Sequence, residues 1–286
     1  MLAIRMERFE KLELAYARLK ILKNWFDGKR DGASIEEVLQ KMLGQSYTMK
    51  ARSVIKKINQ SGTFLEVVFR NFKYPLYYPI EMPITSLYQV IAEIFYSNDW
   101  HYYEIEQTKV GAEDTVIDCG AGEGLFSLLV ARRCSKVYAI EPLPRFVEAM
   151  KLSFSKLGNV SIIPCALADY EGEGKLSQKG ISSSLAGPRK EAITIKMDTV
   201  DNLFFEKRIK IDYIKADLEG YEVEVLRGAS KTIKSSNPKI AITTYHRNEH
   251  AYEISRFLKS INPKYKIKLK GLNACGSYVM LHAWVS

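Results

Sequence analysis

Cysteine is scarce in this 286-residue chain, and the four present (Cys119, Cys134, Cys165, Cys275) never fall into Cys-x-x-Cys spacing. That argues against a disulfide-stapled scaffold and against a cysteine-rich zinc site. Three of the four adjoin apolar strand-like runs, where a reduced thiol packs as a small hydrophobe. Long apolar runs are missing too, so no membrane span is expected. The opening Met1-Leu-Ala-Ile-Arg-Met-Glu-Arg lacks the apolar centre of a secretory leader. A reducing, cytoplasmic setting is the expectation. Basic clusters interleaved with aromatics are also absent, so the net charge of +9 does not by itself read as a nucleic-acid surface. Residues 1–60 carry 13 Lys and Arg against 7 Asp and Glu. That segment reads as a solvated, basic helical face.

What is present is a core-forming composition, 47% hydrophobic, enough for one medium domain with an appendage. Residues 1–62 read as a helical appendage. Phe9, Leu12, Tyr16, Leu19 and Phe26 make an apolar stripe, Ser34 with Glu37 makes a capping box, and Val54, Ile55 and Ile58 mark a third amphipathic piece. These helices are expected to pack on the main domain or on a second copy of the chain. Residues 63–104 read as two extended runs, a candidate hairpin, then a helix over 84–95 and the aromatic cluster Trp100-His-Tyr-Tyr103. From residue 105 to 286 strands and helices alternate, which predicts a doubly wound α/β domain. Lys264, Lys266, Lys268 and Lys270 alternate with apolar residues, as on an edge strand with one wet face.

The most informative stretch is Asp114-Thr-Val-Ile-Asp118-Cys-Gly120-Ala-Gly122-Glu-Gly124, followed by leucines at helical spacing. It reads as strand, tight glycine loop and helix, a place where backbone N–H groups meet a nucleotide-like ligand. The dinucleotide fingerprint is not met, because its third glycine arrives one residue early. Asp118 at the strand end suits a cationic ligand, and S-adenosylmethionine carries a sulfonium and an ammonium. The next apolar run ends at Glu141-Pro142, where an acid can accept hydrogen bonds from ribose hydroxyls. Ala166, Leu167 and Asp169 follow a later strand and are placed against the adenine. A second acidic tip, Asp217 and Glu219, is expected to face the Asp118 loop across the point where strand order reverses, with His246 on the far side.

Ile214-Lys-Ala-Asp217-Leu-Glu219-Gly-Tyr-Glu222, with the Asp118 glycine loop and Glu141-Pro142, resembles the FkbM family of S-adenosylmethionine-dependent methyltransferases. The resemblance spans roughly residues 100–286. It implies a Rossmann-like class I methyltransferase fold, a mostly parallel seven-stranded sheet with an antiparallel last strand. It also implies methylation of a hydroxyl oxygen on a small molecule or saccharide. Asp118, Gly120, Gly122 and Glu141 fall on the family's cofactor positions, with Ala121 and Pro142 beside them as further cofactor-binding candidates, and Asp217 and Glu219 fall on the acidic loop after the fourth strand. Thr243 stands where relatives often carry a glutamate, so the base is left open, with His246 a candidate. Asp217, Glu219 and His246 could collect a divalent metal by ligand type, though this is not the favoured reading. The rival readings are an RNA methyltransferase, against which the Asp/Asn-Pro-Pro-aromatic motif is absent, and a non-catalytic cofactor-binding scaffold.

Overall fold

The computed structural model describes residues 2–177 and 192–286. Three helices lead: α1 (Leu2–Phe26), α2 (Ile35–Leu43) and α3 (Tyr47–Val54). Ser34 caps α2 reciprocally: its hydroxyl accepts from the Glu37 N–H at 3.2 Å while the Glu37 carboxylate accepts from the Ser34 N–H at 2.8 Å. Next come β1 (Ile55–Ser61), β2 (Phe64–Phe69) and β3 (Leu76–Pro79), a small antiparallel sheet, and then α4 (Ile84–Phe95).

The main domain runs β4 (Thr115–Cys119), α5 (Leu125–Val130), β5 (Lys136–Ile140), α6 (Pro144–Ser153) and β6 (Val160–Ile163). A second small sheet is formed by β7 (Ala166–Leu167), β8 (Gly172–Ser177) and β9 (Ala192–Asp198). The chain continues through β10 (Tyr213–Ala216), α7 (Glu222–Arg227), α8 (Ser230–Ser236), β11 (Lys239–Thr243), α9 (His250–Ile261), β12 (Lys266–Leu272) and β13 (Tyr278–Trp284). The large sheet has seven strands in the order β12-β13-β11-β10-β4-β5-β6, with only β13 antiparallel to its neighbours. This is a Rossmann-like class I methyltransferase fold. Both faces of the sheet are covered. Ile117, Ile214, Ile240 and Ile242 pack against Val223, Leu226, Ile254 and Leu258 on one side. Val116, Val137 and Tyr213 pack against Phe126 and Val130 on the other. Burial on both faces is why these strands read as continuous apolar runs rather than alternating ones.

Three expectations need correction. The piece from Ile55 onward is strand β1, not helix; a register shift between Ile55 and Lys57 breaks its alternation and leaves a spacing that mimics a helical period. In α1, Tyr16, Leu19 and Phe26 are exposed, and the face that packs carries Ile21, Leu22 and Trp25 against Val38, Trp100 and Leu272. Two apolar stripes share this helix, so spacing alone does not choose between them; the indole N–H of Trp25, donating to the Ala33 carbonyl at 2.8 Å, helps fix the choice. On edge strand β12, Lys266 and Lys268 are exposed, but Lys270 is buried. Its ammonium donates to the Tyr102 carbonyl at 3.1 Å, and burial lowers its pKa to about 8.

Candidate active site

The glycine loop leaves β4 as the spacing predicts. Gly120, Gly122 and Gly124 all hold positive φ (71°, 56° and 84°), a region that side-chain-bearing residues rarely enter. At Gly120 the need is also steric, since a Cβ there would sit 2.1 Å from the Asp217 carbonyl oxygen. The loop is tied to β5 through the Gly120 and Ala121 N–H groups, both donating to the Ile140 carbonyl. Glu141 then closes it: one carboxylate oxygen accepts from the Gly122 N–H at 2.9 Å and the other from the Leu143 N–H at 2.8 Å. Burial raises the Glu141 pKa to about 7.

A cleft opens over this loop. Gly120, Ala121, Gly122, Glu141, Pro142, Ala166 and Leu167 line it, and so do Asp217 and Glu219. Two expected cofactor residues do not. Asp169 is exposed outside the cleft. Asp118 is fully buried behind the loop, its carboxylate 2.9 Å from the Lys215 ammonium and 2.7 Å from the Ser127 hydroxyl that donates to it. The strand-end position was legible in the sequence, but the cross-strand lysine that takes its charge was not.

The other end of the cleft is built on the tips of β10 and β11. Asp217 accepts from the Tyr103 hydroxyl at 2.7 Å and from the Thr243 hydroxyl at 3.2 Å. Burial works against its charge, but His101, Lys215 and His246 together outweigh that and hold the carboxyl below its ordinary range. Glu219 has the opposite balance: burial and the neighbouring Asp217 push it up to about 7. It also holds φ 53°, a strained conformation for a non-glycine residue. His246 stands beside both, Nε2 at 3.8 Å from Asp217 and 3.4 Å from Glu219. Its Nδ1 is 2.7 Å from the buried carboxylate of Glu222. Burial opposes a charge on the ring, yet the bond to Glu222 and the surrounding carboxylates outweigh it and raise its pKa.

The sequence picks out His101 and Tyr103 only as members of the aromatic cluster 100–103, and it does not mark Glu93 or Glu123 as site residues. His101 lies 3.1 Å from Glu93 through Nδ1 and 3.9 Å from Asp217 through Nε2. Burial disfavours its charge, but Glu93 and Asp217 raise its pKa to about 9. Glu93 and Tyr103 line the cleft from the lead-in segment, and Glu123 lines it from the glycine loop, where burial raises its carboxyl to about 7. Glu93 shows as the only charged residue of α4, one of the few signals that could have found it. Nothing local in the sequence pairs it with His101.

This geometry can be set beside known proteins. Across residues 118–265 the chain matches the family model for the methyltransferase FkbM domain. A ribosomal RNA adenine N-6-methyltransferase from Bacteroides fragilis is 32% identical over 66 residues, 23% of this chain and 25% of its own length. The chain thus spans about a quarter of the curated relatives it matches. Among solved structures, a methyltransferase FkbM from Methylobacillus flagellatus KT aligns over 69% of this chain and 54% of its own, with 19% identity and a TM-score of 0.49. A transferase from Pyrococcus horikoshii aligns over 79% and 74%, with 17% identity and a TM-score of 0.43. The family match covers more than half of the chain and includes both the glycine loop and the acidic tip, and the chain belongs to the FkbM methyltransferase family.

Proposed function

We propose that the protein transfers a methyl group from S-adenosylmethionine to a hydroxyl oxygen of a small molecule or saccharide. The observation that carries this reading is the polarity of one cleft. A glycine loop closed by Glu141 forms one end, and the half-buried Asp217 and Glu219, with His246 beside them, form the other. The residues fit the donor. Gly122 has open space where a Cβ would point, Glu141 keeps lone pairs free for ribose hydroxyls, and Ala166, Leu167 and Cys165 offer an apolar wall for an adenine ring. When bound, S-adenosylmethionine supplies a methyl already activated by its sulfonium charge.

What remains for the chain is placement and proton removal. An alcohol is a weak nucleophile at neutral pH, and effective reaction needs its oxygen held in line with the methyl at roughly 3 Å. Asp217 is fixed by Tyr103 and Thr243 before any ligand arrives, so it is pre-organised to hold the acceptor hydroxyl. The proton leaves on this side, among Asp217, Glu219 and His246. The buried thiols of Cys119, Cys134 and Cys165 suit a reducing, cytoplasmic setting.

A second reading, methylation of an RNA adenine, is favoured by the short match to a ribosomal RNA adenine N-6-methyltransferase and by the net charge of +9. Against it, the tip after β10 reads Asp217-Leu-Glu219-Gly220 rather than Asp/Asn-Pro-Pro-aromatic, and its carboxylates repel phosphate. The test combines calorimetry with S-adenosylhomocysteine and transfer of label from S-adenosylmethionine into saccharides, small alcohols and ribosomal RNA. Heat with the nucleoside and label recovered as a methyl ether are expected. Label recovered as N6-methyladenosine overturns the acceptor assignment. Silence with S-adenosylhomocysteine, alongside binding of a nicotinamide dinucleotide, overturns the donor assignment.

A further inference from the structure

The acidic end of the cleft contains a donor set that placement of a hydroxyl does not explain. His246 is held through Nδ1 by Glu222, which is itself fully buried and also accepts from the Leu218 N–H. The opposite nitrogen, Nε2, has no hydrogen-bond partner among the described residues, although the side chain is only 10% exposed. It points at Glu219 and Asp217 from 3.4 Å and 3.8 Å, too far for good hydrogen bonds. Metal–ligand bonds of about 2.1 Å place neighbouring donor atoms roughly 3–3.5 Å apart. The three donors lie within 4.8 Å of one another. An imidazole oriented by a carboxylate on its far nitrogen is also the usual support of a metal-ligating histidine.

We propose that Asp217, Glu219 and His246 form a binding site for one divalent cation, held by two carboxylates and one imidazole. That donor set suits Mn²⁺ or Zn²⁺ better than a soft, thiolate-seeking ion. The site is open on the cleft side, where Asp217 and Glu219 form part of the wall, so an acceptor hydroxyl can reach the ion. The existence of the site rests on geometry alone; its role rests on the methyl-transfer reading above. In that role the cation lowers the pKa of the acceptor hydroxyl, whose proton is released to water. The hydroxyl oxygen then bonds to the methyl carbon. The carbon–sulfur bond breaks with its electron pair going to sulfur, leaving a neutral thioether. A proton on His246 competes with the ion for the same atom, so binding weakens in acid.

The experiment titrates the metal-free full chain with Mn²⁺, following free ion by electron paramagnetic resonance. One Mn²⁺ per chain is expected, bound at least tenfold more weakly in Glu219→Gln and in His246→Ala. Glu219→Gln guards against misfolding, because Glu219 is partly exposed and its carboxylate supports no strand or helix cap. The absence of bound Mn²⁺, or binding unchanged in both variants, overturns the site and leaves His246 itself to receive the proton. Binding of S-adenosylhomocysteine is measured in the same samples, so that failure of the ion site and failure of the donor assignment are read separately.

Discussion

Lys215 and Asp118 face each other in register across the parallel strands β10 and β4, ammonium to carboxylate 2.9 Å, both buried. The same ammonium donates to the Gly120 carbonyl at 2.7 Å. One lysine therefore neutralises the strand-end acid and pins the glycine loop. Burial opposes its charge, but Asp118 and then Asp217 outweigh that and hold its pKa above the ordinary range. Removing one partner of a buried pair leaves the other charge uncompensated, which typically costs about 3–5 kcal/mol. Lys215→Met should lower stability by that order in urea denaturation, and adding Asp118→Asn should restore much of it. A single variant within about 1 kcal/mol of wild type would mean the pair is not what holds the loop.

Gly120 and Gly158 make opposite cases. An alanine at 120 meets the Asp217 carbonyl oxygen and must adopt φ 71°, whereas at 158 nothing lies within 4 Å of the added carbon. Gly120→Ala should cost several kcal/mol, of the order of about 3, and displace the acidic tip along with the loop. Gly158→Ala should leave the melting temperature nearly unchanged. Equal melting temperatures for the two variants would contradict the geometry.

Glu141 tests the donor end without disturbing the core strands. Glu141→Gln keeps the shape but removes the charge and one acceptor of the pair that now takes the Gly122 and Leu143 N–H groups. Affinity for S-adenosylhomocysteine should fall at least tenfold, about 1.4 kcal/mol, by calorimetry. Unchanged affinity would separate Glu141 from ribose recognition.

A pH dependence follows from His282, buried on β13 with Nδ1 3.0 Å from the Thr108 hydroxyl. Burial, with Lys270 and Lys268 nearby, lowers its pKa to about 3 in the folded protein. The unfolded chain takes up a proton near pH 6.5 and the folded one does not, so the stability present above pH 6.5 is lost as pH falls toward 3. Between pH 6.5 and 5 the loss from this residue is about 2 kcal/mol. Urea midpoints at pH 7 and pH 5 should show a smaller drop in His282→Gln than in wild type. An equal drop would assign the acid sensitivity to other groups.

How much of this was legible beforehand depended on distance along the chain. The acids at 118, 141 and 217 stand at the ends of apolar runs rich in β-branched residues, and such runs announce strands. Parallel winding then placed β10 beside β4 and brought the acidic tip to the glycine loop. Local pattern could not say which charges cancel: Asp118 looked available to a ligand until Lys215, nearly a hundred residues on, was found opposite it. The same limit hid the pairing of Glu93 with His101 and the holding of His246 by Glu222, contacts made by tertiary packing. Lys270 looked wet because alternation reports a face of the strand, not what the rest of the chain lays over it.

The wall of the cleft includes Val90, Glu93, Ile94 and Tyr103, all upstream of residue 118 where the shared family span begins. An alignment restricted to that span compares the machinery for holding a donor while omitting part of the surface an incoming molecule would touch. Two chains could therefore agree throughout the shared span and still admit differently shaped acceptors, and a fragment trimmed to that span would lack His101 and the Tyr103 hydroxyl bond that steadies Asp217.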